Sequence, residues 1–313
     1  MRALATHPAA RGLLDDAAVL DWPTGLQLVA THDLLVEGVH YTAGCPASDV
    51  AWKLLAVNLS DLAAMGARPV GVLLGVALSG NQPAQWADSF ATGLGRALET
   101  FAVPLLGGDT VRSGAQTVLS LTALGSVPPG AALARMGAGA GDDLWVSGTI
   151  GDAGIGLAAA NGVTMDARMA REALKRYRRP VPRLALGVAL RGIATAAMDV
   201  SDGLALDAAR LAHAARLIAE IALGAIPLSN FAPAGEIDRL RHATAGDDYE
   251  LLFAAPPSRR DSVQAAAVAA KTPVARIGRL LAAVSGTAVA QSVQLVTASG
   301  KAVVPARLGY QHP

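Results

Sequence analysis

The chain has 313 residues, of which 52% are hydrophobic but only 4% aromatic, and its net charge of +1 gives no argument for a nucleic acid or an acidic partner. This length allows two domains of ordinary size, each with its own core. The single cysteine, Cys45, excludes an intrachain disulfide and a cysteine-based zinc site. We recognise neither a secretory signal nor an unbroken membrane-spanning stretch, and therefore expect a cytoplasmic protein.

Strands and helices are predicted to alternate through the first half of the chain. Runs of Val, Leu and Ala bounded by turn residues indicate strands, and apolar spacings of three and four indicate helices. Asp33 is expected just past the end of the first strand. The predicted elements are, in order, a strand at 26–31, a helix capped by Ser48 and ended by Gly66, a strand at 70–78, a helix at 83–101, a short apolar run at 104–106 followed by GGDT, and a strand at 118–125.

The segment at 56–67, AVNLSDLAAMGA, places a carboxylate on the apolar side of the first predicted helix. Asp61 comes four residues after Val57 and therefore lies on the same stripe as Val57 and Leu54. A core-facing carboxylate is costly unless a cation or hydrogen-bond donors meet it. The alternative is a helix break at 58–60, with Asp61 capping a second short helix. This segment alone does not decide between the two.

Glycines and prolines at 128–141 mark the one clear linker, and we predict domains at 1–136 and 137–313. The second half begins with a predicted strand at 143–147. After a strand end at 195–198, Ser201 is predicted to cap a helix whose N-terminus favours an anion. The basic run between 168 and 183 is either a solvated helix face or a phosphate or nucleic-acid patch. We favour the solvated face, because only one aromatic residue, Tyr177, lies within the run.

Aspartates at predicted strand ends and glycine-rich turns are the main chemical signal. Ligands of open α/β sheets bind at strand ends, so these carboxylates are expected to converge. Two carboxylates about 4 Å apart repel by roughly 4 kcal/mol at an effective dielectric near 20, and a divalent cation removes that cost. Oxygen ligands alone favour Mg²⁺ over Zn²⁺. The aspartates concerned are Asp16, Asp33, Asp61, Asp109, Asp199 and Asp202.

A nucleotide would suit such a magnesium site, although the usual phosphate-binding loops are missing. The only Gly-Lys pair, Gly300 with Lys301, is followed by Ala302, so there is no Walker A motif, and no G-x-G-x-x-G occurs. Nucleotide binding is therefore expected to rely on aspartates, metal ions and turns, with Arg135 as a phosphate contact.

Six motifs occur in the order seen in thiamine-monophosphate kinases, and the chain resembles that family over about residues 14–253. The motifs are DDAAVL, THDLLVEGVHY, WKLLAVNLSDLAAMGARP, LLGGDT, MDVSDGL and GDDYELLF, with a weaker match at Gly309 and Tyr310. These kinases belong to the superfamily of aminoimidazole ribonucleotide synthetase and selenophosphate synthetase. NLSDLAAMGA and DVSDGL are typical of the superfamily, whereas EGVHY together with GDDYEL indicates the kinases.

The resemblance implies an α/β (α+β) protein with the two-domain aminoimidazole ribonucleotide synthetase-like fold. Its N-terminal domain would bind metal and ATP, and the N-terminal sheet would form a barrel across a homodimer. The implied activity is ATP-dependent phosphorylation of thiamine monophosphate to thiamine diphosphate, by in-line transfer with several Mg²⁺ ions. Neither a nucleic acid nor a membrane would be a partner.

The resemblance also implies roles for individual positions. The catalytic carboxylates would be Asp61, Asp109 and Asp199. The Mg²⁺ ligands would be Asp16, Thr31, Asp33, Asp61, Asp109, Asp199 and Asp202. ATP would contact Gly108, Asp109, Arg135 and Ser201. The thiamine phosphate would face His40, Asp248 and Tyr310.

Three positions depart from the family pattern. Leu14 stands where a glycine is usual, His32 where threonine is common, and Asp247 where glutamate is usual. The first two motivate one alternative, a non-catalytic paralogue that binds nucleotide or thiamine phosphate. A second alternative is another ATP-dependent synthetase of the superfamily. The cysteine and lysine of selenophosphate synthetase are missing before Asp15, and the C-terminal cysteine of a hydrogenase-maturation relative is missing as well.

Overall fold

The computed structural model describes residues 2–15, 17–283, 286–303 and 305–311. The chain divides into two compact units. The N-terminal unit contains Met1–Leu62, Ala67–Gly130 and Arg178–Pro180, and the C-terminal unit contains Ala63–Gly66, Ala131–Tyr177 and Val181–Pro313. Both units combine a β-sheet with helices, as expected for a mixed α/β protein.

The N-terminal unit is built on a four-stranded sheet with strand order β1-β4-β2-β3. β2 and β3 are parallel, and the other neighbouring strands are antiparallel. Two 3₁₀ segments, Arg2–Leu4 and Pro8–Leu13, precede the first strand. The main elements are β1 (Gln27–Val36), α1 (Ala47–Ala64), β2 (Arg68–Ser79), α2 (Trp86–Phe101), β3 (Leu105–Ser113) and β4 (Val118–Val127).

Helix α1 is continuous from Ala47 to Ala64, so the alternative with a break at 58–60 is wrong. The helix also begins one residue before Ser48, which is therefore not its cap. Asn58 stays within the helix because its side-chain amide donates to the carbonyl of Leu54 at 2.9 Å. Gly66, in the left-handed conformation with φ +63°, follows the helix end as predicted, since this conformation favours glycine.

Asp33 lies inside β1, and Asp109 lies inside β3, so the prediction that these residues follow strand ends is wrong. Alternate residues of β1 face different surroundings, because Leu35 is 2% exposed and its neighbour Leu34 is 49% exposed. Strand pairing with β4 continues along the whole of β1. A strand predicted from an apolar run alone therefore ends too early.

The C-terminal unit is built on a seven-stranded sheet with strand order β11-β10-β7-β9-β5-β8-β6. β5 has the bounds predicted from the sequence. The elements are β5 (Asp143–Ser147), α3 (Asp152–Ala160), α4 (Ala167–Arg178), α5 (Leu184–Ala189), β6 (Ala196–Asp199), α6 (Leu204–Ala214), β7 (Leu217–Ala222), α7 (Glu236–Ala243), β8 (Leu251–Ala255), α8 (Arg260–Ala269), β9 (Val274–Ala282), β10 (Val293–Val296) and β11 (Ala302–Val303).

Both faces of this sheet carry a hydrophobic core, because successive strand residues point to opposite faces. Leu144 and Leu252 belong to the core that includes helix α6. Trp145 and Phe253 belong to the other core and stack with their ring centroids 6.4 Å apart. Apolar side chains on both faces hold β6 and β8 firmly, and the loops that follow or precede these strands carry candidate site residues.

The basic run has the predicted solvated helix face. Arg168, Arg171 and Lys175 on α4 are exposed, whereas Ala173 and Tyr177 are buried on its other side. Among the described residues, no helix combines the length and the apolar character needed to cross a membrane.

Candidate functional site

Three predicted metal ligands of the N-terminal unit lie together between β1 and α1. Thr31 Oγ1 donates a hydrogen bond to Asp61 Oδ2, which joins the strand to the helix. The backbone N–H of Asp33 donates to Asn58 Oδ1 at 3.1 Å, which joins them a second time. Asp61 therefore lies on the covered side of α1, as its position on the apolar stripe predicted. Asn58, fully buried, was missed by the sequence analysis as a support for Asp33.

The two carboxylates of this cluster influence each other. Burial, and then the charge of Asp61, raise the pKa of Asp33 from its ordinary value of 3.8 to about 6. A bound cation would reverse this effect, since opposite charge favours the ionised carboxylate. The side chains of Thr31, Asp33 and Asp61 offer only oxygen atoms as metal ligands, which fits Mg²⁺. The cluster therefore meets the chemical requirement for a hard cation.

The structure does not bring all the predicted ligands of this unit together. Asp33 is in register with Leu121 of β4, which is in register with Leu74 of β2 and then with Gly108 of β3. Gly108 and its neighbour Asp109 thus lie three strand spacings from Asp33, about 14 Å along the sheet. Among the described residues, no three His, Cys, Asp or Glu side chains are grouped closely enough to hold a metal ion. Asp16 lies outside the described residues.

In the C-terminal unit, Asp199, Ser201 and Asp202 follow one another at the end of β6. Asp199 is the last residue of that strand and is 4% exposed. Helix α6 begins only at Leu204, with Gly203 at the N-cap position, so the prediction that Ser201 caps the helix is wrong. Ser201 instead lies in the turn between the strand and the helix.

A residue missed by the sequence analysis, Asp207, holds this turn. Its Oδ2 accepts the backbone N–H groups of Ser201 and Asp202 at 3.0 Å each and that of Gly203 at 3.2 Å. Arg210 donates to both Asp202 and Asp207. Burial raises the pKa of Asp207 to about 6, although the hydrogen bonds lower it. The N–H groups of this turn thus bind a carboxylate of the chain itself.

Two further loops meet this turn. The N–H of Asp247 donates to the carbonyl of Ser201 at 2.7 Å, and the N–H of Tyr310 donates to the carbonyl of Asp202 at 2.8 Å. A Cβ atom at position 309 would lie 2.3 Å from that carbonyl oxygen of Asp202, so Gly309 allows this approach. Ser201, Asp248 and Tyr310, which were predicted to contact ATP or the acceptor, therefore lie on three loops in direct contact.

The carboxylate of Asp248 points towards the start of helix α3. It accepts the N–H of Gly151 at 2.7 Å and the N–H of Ala153 at 3.2 Å. Burial raises its pKa well above the ordinary value, against the effect of these two bonds. On either side, Asp247 and Tyr249 have positive φ values of 72° and 50°, a conformation uncommon for residues other than glycine. The loop thus has an unusual backbone where acceptor contacts were predicted.

Glu250, which follows in the same loop, was not predicted from the sequence. It is 3% exposed, forms an ion pair with Arg183, and accepts a hydrogen bond from Ser147 Oγ at 2.5 Å. The N–H of Leu251 donates back to Ser147 Oγ at 2.8 Å. This network fixes the loop to the start of β8.

His40 and Arg135 are the two remaining predicted site residues, one in each unit. His40 in the N-terminal unit accepts the N–H of Val36 through Nδ1 at 3.0 Å, and its carbonyl accepts from Lys53 Nζ at 3.2 Å. Arg135 in the C-terminal unit is exposed. It follows Ala134, whose carbonyl accepts the N–H of Ala197 in β6 at 2.8 Å, so Arg135 lies beside that strand.

Comparison with known proteins agrees with this fold. Residues 14–127 match the N-terminal domain of AIR synthase related proteins, and residues 139–291 match the C-terminal domain. The fold and its loops thus define an AIR synthase-related protein. The chain is 42% identical to a thiamine-monophosphate kinase of Caulobacter vibrioides, over 97% of this chain and 86% of that protein. It belongs to the thiamine-monophosphate kinase family.

Solved structures of thiamine-monophosphate kinases superimpose on this chain over most of its length. A thiamine-monophosphate kinase from Stenotrophomonas maltophilia K279a superimposes with a TM-score of 0.84 at 38% identity, covering 96% of this chain and 94% of that one. AaThiL complexed with AMPPCP and TMP superimposes with a TM-score of 0.77 at 28% identity, covering 95% of this chain and 91% of that one. The predicted family and the predicted two-domain aminoimidazole ribonucleotide synthetase-like fold are therefore confirmed.

Proposed function

We propose that this protein transfers the γ-phosphoryl group of ATP to thiamine monophosphate and so forms thiamine diphosphate. Family membership over nearly the whole chain supports this activity, as does a related structure, AaThiL complexed with AMPPCP and TMP. The structural observation that carries the proposal is the contact among three loops of the C-terminal unit. Ser201 and Asp202 on one loop touch Asp247 on the second and Tyr310 on the third.

The acceptor is already a phosphate anion, so the reaction needs no strong general base. Transfer then depends on aligning the two phosphate groups and on neutralising their combined charge. Bound Mg²⁺ ions would supply much of the neutralising charge. This chemistry explains why the family motifs are rich in aspartate and contain no evident catalytic nucleophile.

The chain's own residues would hold these ions through oxygen atoms. In the N-terminal unit, we propose Thr31, Asp33 and Asp61, which already lie together between β1 and α1. The hydroxyl of Thr31 donates to one oxygen of Asp61 and so holds the carboxylate against β1. The further proposed metal ligands are Asp16, Asp109, Asp199 and Asp202, and the proposed ATP contacts are Gly108, Asp109, Arg135 and Ser201.

We propose that His40, Asp248 and Tyr310 face the thiamine phosphate. Tyr310 is 44% exposed, and its ring can stack on the cationic thiazolium. The Asp248 carboxyl group accepts two N–H groups at the start of α3, and an approaching thiazolium cation would favour its ionised form and be attracted by it. The two residues would thus select a positively charged organic group, whereas the metal ligands would orient its phosphate.

We further propose a homodimer formed through the N-terminal sheets. One face of this sheet exposes large apolar side chains at Leu28, Leu34, Leu73 and Val111, with exposed fractions from 37% to 55%. The three β-strand registers place these residues on one surface. A second copy of the same surface would cover them. The N-terminal unit would form the metal-binding and dimerisation domain, the C-terminal unit would form the second domain, and the protein would act in the cytoplasm.

A turnover assay tests the proposed function. ATP and Mg²⁺ are offered with thiamine monophosphate, with free thiamine and with an aminoimidazole precursor, and the products are separated by chromatography. We expect turnover with thiamine monophosphate alone, because the metal-bound acceptor must present a phosphate as nucleophile. Turnover confined to thiamine or to the purine precursor would contradict the proposal. The Asp61→Asn protein serves as the inactive control.

The alternative of a non-catalytic paralogue receives little support from the departures that motivated it. His32 points to the side of β1 opposite Asp33, since neighbouring strand residues alternate, and its Nδ1 lies 2.8 Å from Thr122 Oγ1. Leu14 is 77% exposed. Neither side chain enters the cluster of Thr31, Asp33 and Asp61.

A further inference from the structure

The turn from Ser201 to Gly203 is held by a single carboxylate oxygen. Three consecutive backbone N–H groups converge on Asp207 Oδ2, at 3.0, 3.0 and 3.2 Å. Asp207 lies in the first turn of α6, in the chain segment that directly follows these residues. Such a convergent arrangement fixes the φ and ψ angles of the turn more strictly than one bond does, because each N–H direction is set by its own peptide plane.

Asp207 cannot be replaced by solvent in this role. Its side chain is fully buried, and Gly203 beside it is buried too. Removing the carboxylate would leave the convergent N–H groups without their acceptor in a region that water does not reach freely. The turn would then have to move until those groups found other partners.

A second contact extends the same support to a side chain. Arg210 Nη1 lies between Asp202 Oδ2 and Asp207 Oδ1, at 2.9 Å from the latter. Arg210 is anchored by the buried Asp207 and in turn fixes the direction of the Asp202 carboxylate. The backbone of the turn and one of its functional side chains are therefore both positioned from Asp207.

We infer that Asp207 is a positioning residue for nucleotide and metal binding, which it supports without touching either ligand. This inference rests on the proposed function, which gives Ser201 to ATP and Asp202 to a metal ion. Asp207 keeps the Ser201 hydroxyl and the Asp202 carboxylate in one fixed relation, so that neither must be ordered when ATP binds. A purely stabilising residue would contribute to folding without this effect on affinity.

Variants can separate the two roles. Asp207→Ala removes all the hydrogen bonds of this side chain, whereas Asp207→Asn keeps one acceptor oxygen for the N–H groups but loses the charge and the oxygen that accepts from Arg210. Arg210→Gln leaves the backbone bonds intact but releases Asp202. The matched control is Asp143→Asn, because Asp143 is also buried in the C-terminal unit and also paired with arginines, Arg260 and Arg276, on strand β5 away from the turn.

The first measurement is amide hydrogen exchange of the peptide covering residues 200–204, without any ligand. We expect the N–H groups of Ser201, Asp202 and Gly203 to exchange at least about tenfold faster in Asp207→Ala, and much less so in Asp207→Asn. The control Asp143→Asn should leave them protected. Unchanged protection in Asp207→Ala would overturn the inference whatever the protein's activity.

The second measurement is calorimetric binding of AMPPCP with Mg²⁺. We expect the Kd to rise by about 10- to 100-fold in Asp207→Ala, as is typical when a supporting partner of a metal ligand is lost, and by less in Asp207→Asn. If Asp207→Ala does not fold, Asp207→Asn and Arg210→Gln decide, and wild-type affinity in both would overturn the inference. If the wild-type protein itself binds no AMPPCP, the proposed function fails, and the role of Asp207 towards ATP fails with it.

Discussion

The backbone N–H of Tyr310 donates a hydrogen bond to the carbonyl oxygen of Asp202 at 2.8 Å. This bond links a residue near the end of the chain to the turn after β6. Tyr310 is a proposed acceptor contact and Asp202 a proposed metal ligand. Replacing Tyr310 is therefore expected to weaken binding of the thiamine phosphate, and replacing Asp202 to weaken binding of the metal ion. Variants of the two residues can measure this difference.

Replacement of Tyr310 tests the acceptor side. In Tyr310→Ala, we expect KM for thiamine monophosphate to rise by about 5- to 30-fold, because a cation–π contact of about 1–2 kcal/mol is lost. KM for ATP should change little. Tyr310→Phe keeps the ring and serves as the control with near wild-type values. Equal increases of both KM values in Tyr310→Ala would contradict an acceptor-specific role.

Asp61→Asn tests the metal ligand on helix α1. We expect kcat to fall by about 10²- to 10³-fold, a loss typical for one group that stabilises charge in the transition state. The metal-free protein should not melt at a lower temperature, because the repulsion between Asp61 and Asp33 is removed. The exposed Asp88 on α2 provides a control, and Asp88→Asn should behave as wild type. An active Asp61→Asn protein would remove Asp61 from the catalytic set.

Removal of metal tests the proposed cofactor. Calorimetry with AMPPCP in the presence of excess chelator should give little heat, and added Mg²⁺ should restore binding. The reason is that clustered carboxylates repel the phosphate groups unless cations lie between them. Zn²⁺ should restore binding less well than Mg²⁺, since the donors are oxygen atoms. An affinity that the chelator does not change would argue against a metal site.

Leu34→Glu tests the proposed dimer interface. We expect light scattering to give twice the chain mass for the wild-type protein and the single chain mass for the variant. A charge placed in a buried apolar interface is strongly unfavourable. Ile237→Glu in the C-terminal unit is the control, because Ile237 is 68% exposed and lies outside the sheet face. A wild-type monomer, or a dimer unaffected by Leu34→Glu, would contradict this interface.

Asp143 supplies a test of stability against pH. Hydrogen bonds from Arg260 and Arg276 hold the pKa of Asp143 below its ordinary value of 3.8, although burial acts in the opposite direction. Its contribution is therefore fully present above about pH 3.8 and is lost as the pH falls through the lower folded-state value. Asp143→Asn should melt below wild type at pH 7, and this difference should shrink at more acidic pH. A difference independent of pH would show that the charge is not responsible.

The sequence predicted the elements best where apolar periodicity was uninterrupted. Strand β5 was located correctly, because its residues are buried on both faces. The placement of Asp61 against the covered side of α1 was also correct, since helical spacing fixes the side on which a residue lies. The same rule could have indicated Asp207, which comes three residues after Leu204 and four before Leu211 on the apolar stripe of α6.

Other features depended on contacts that leave no local signal. β1 extends through the polar residues His32 and Asp33 because β4 pairs with it along its whole length. The bond between Asp202 and Tyr310 joins residues far apart in the sequence, so only the folded chain brings them together. The direction of the Asp248 carboxylate depends on the start of α3, which the sequence could not place beside it.

The N–H groups of Ser201, Asp202 and Gly203 converge on the carboxylate of Asp207, and this has a consequence for which anions can bind at the turn. An open pocket of three converging amides would also attract inorganic phosphate and sulfate, which are abundant and would compete with a nucleotide. Because a built-in carboxylate occupies it, the turn offers these small ions no amide cradle. A nucleotide bound at this turn, as proposed, would therefore have to be recognised through cations and side chains.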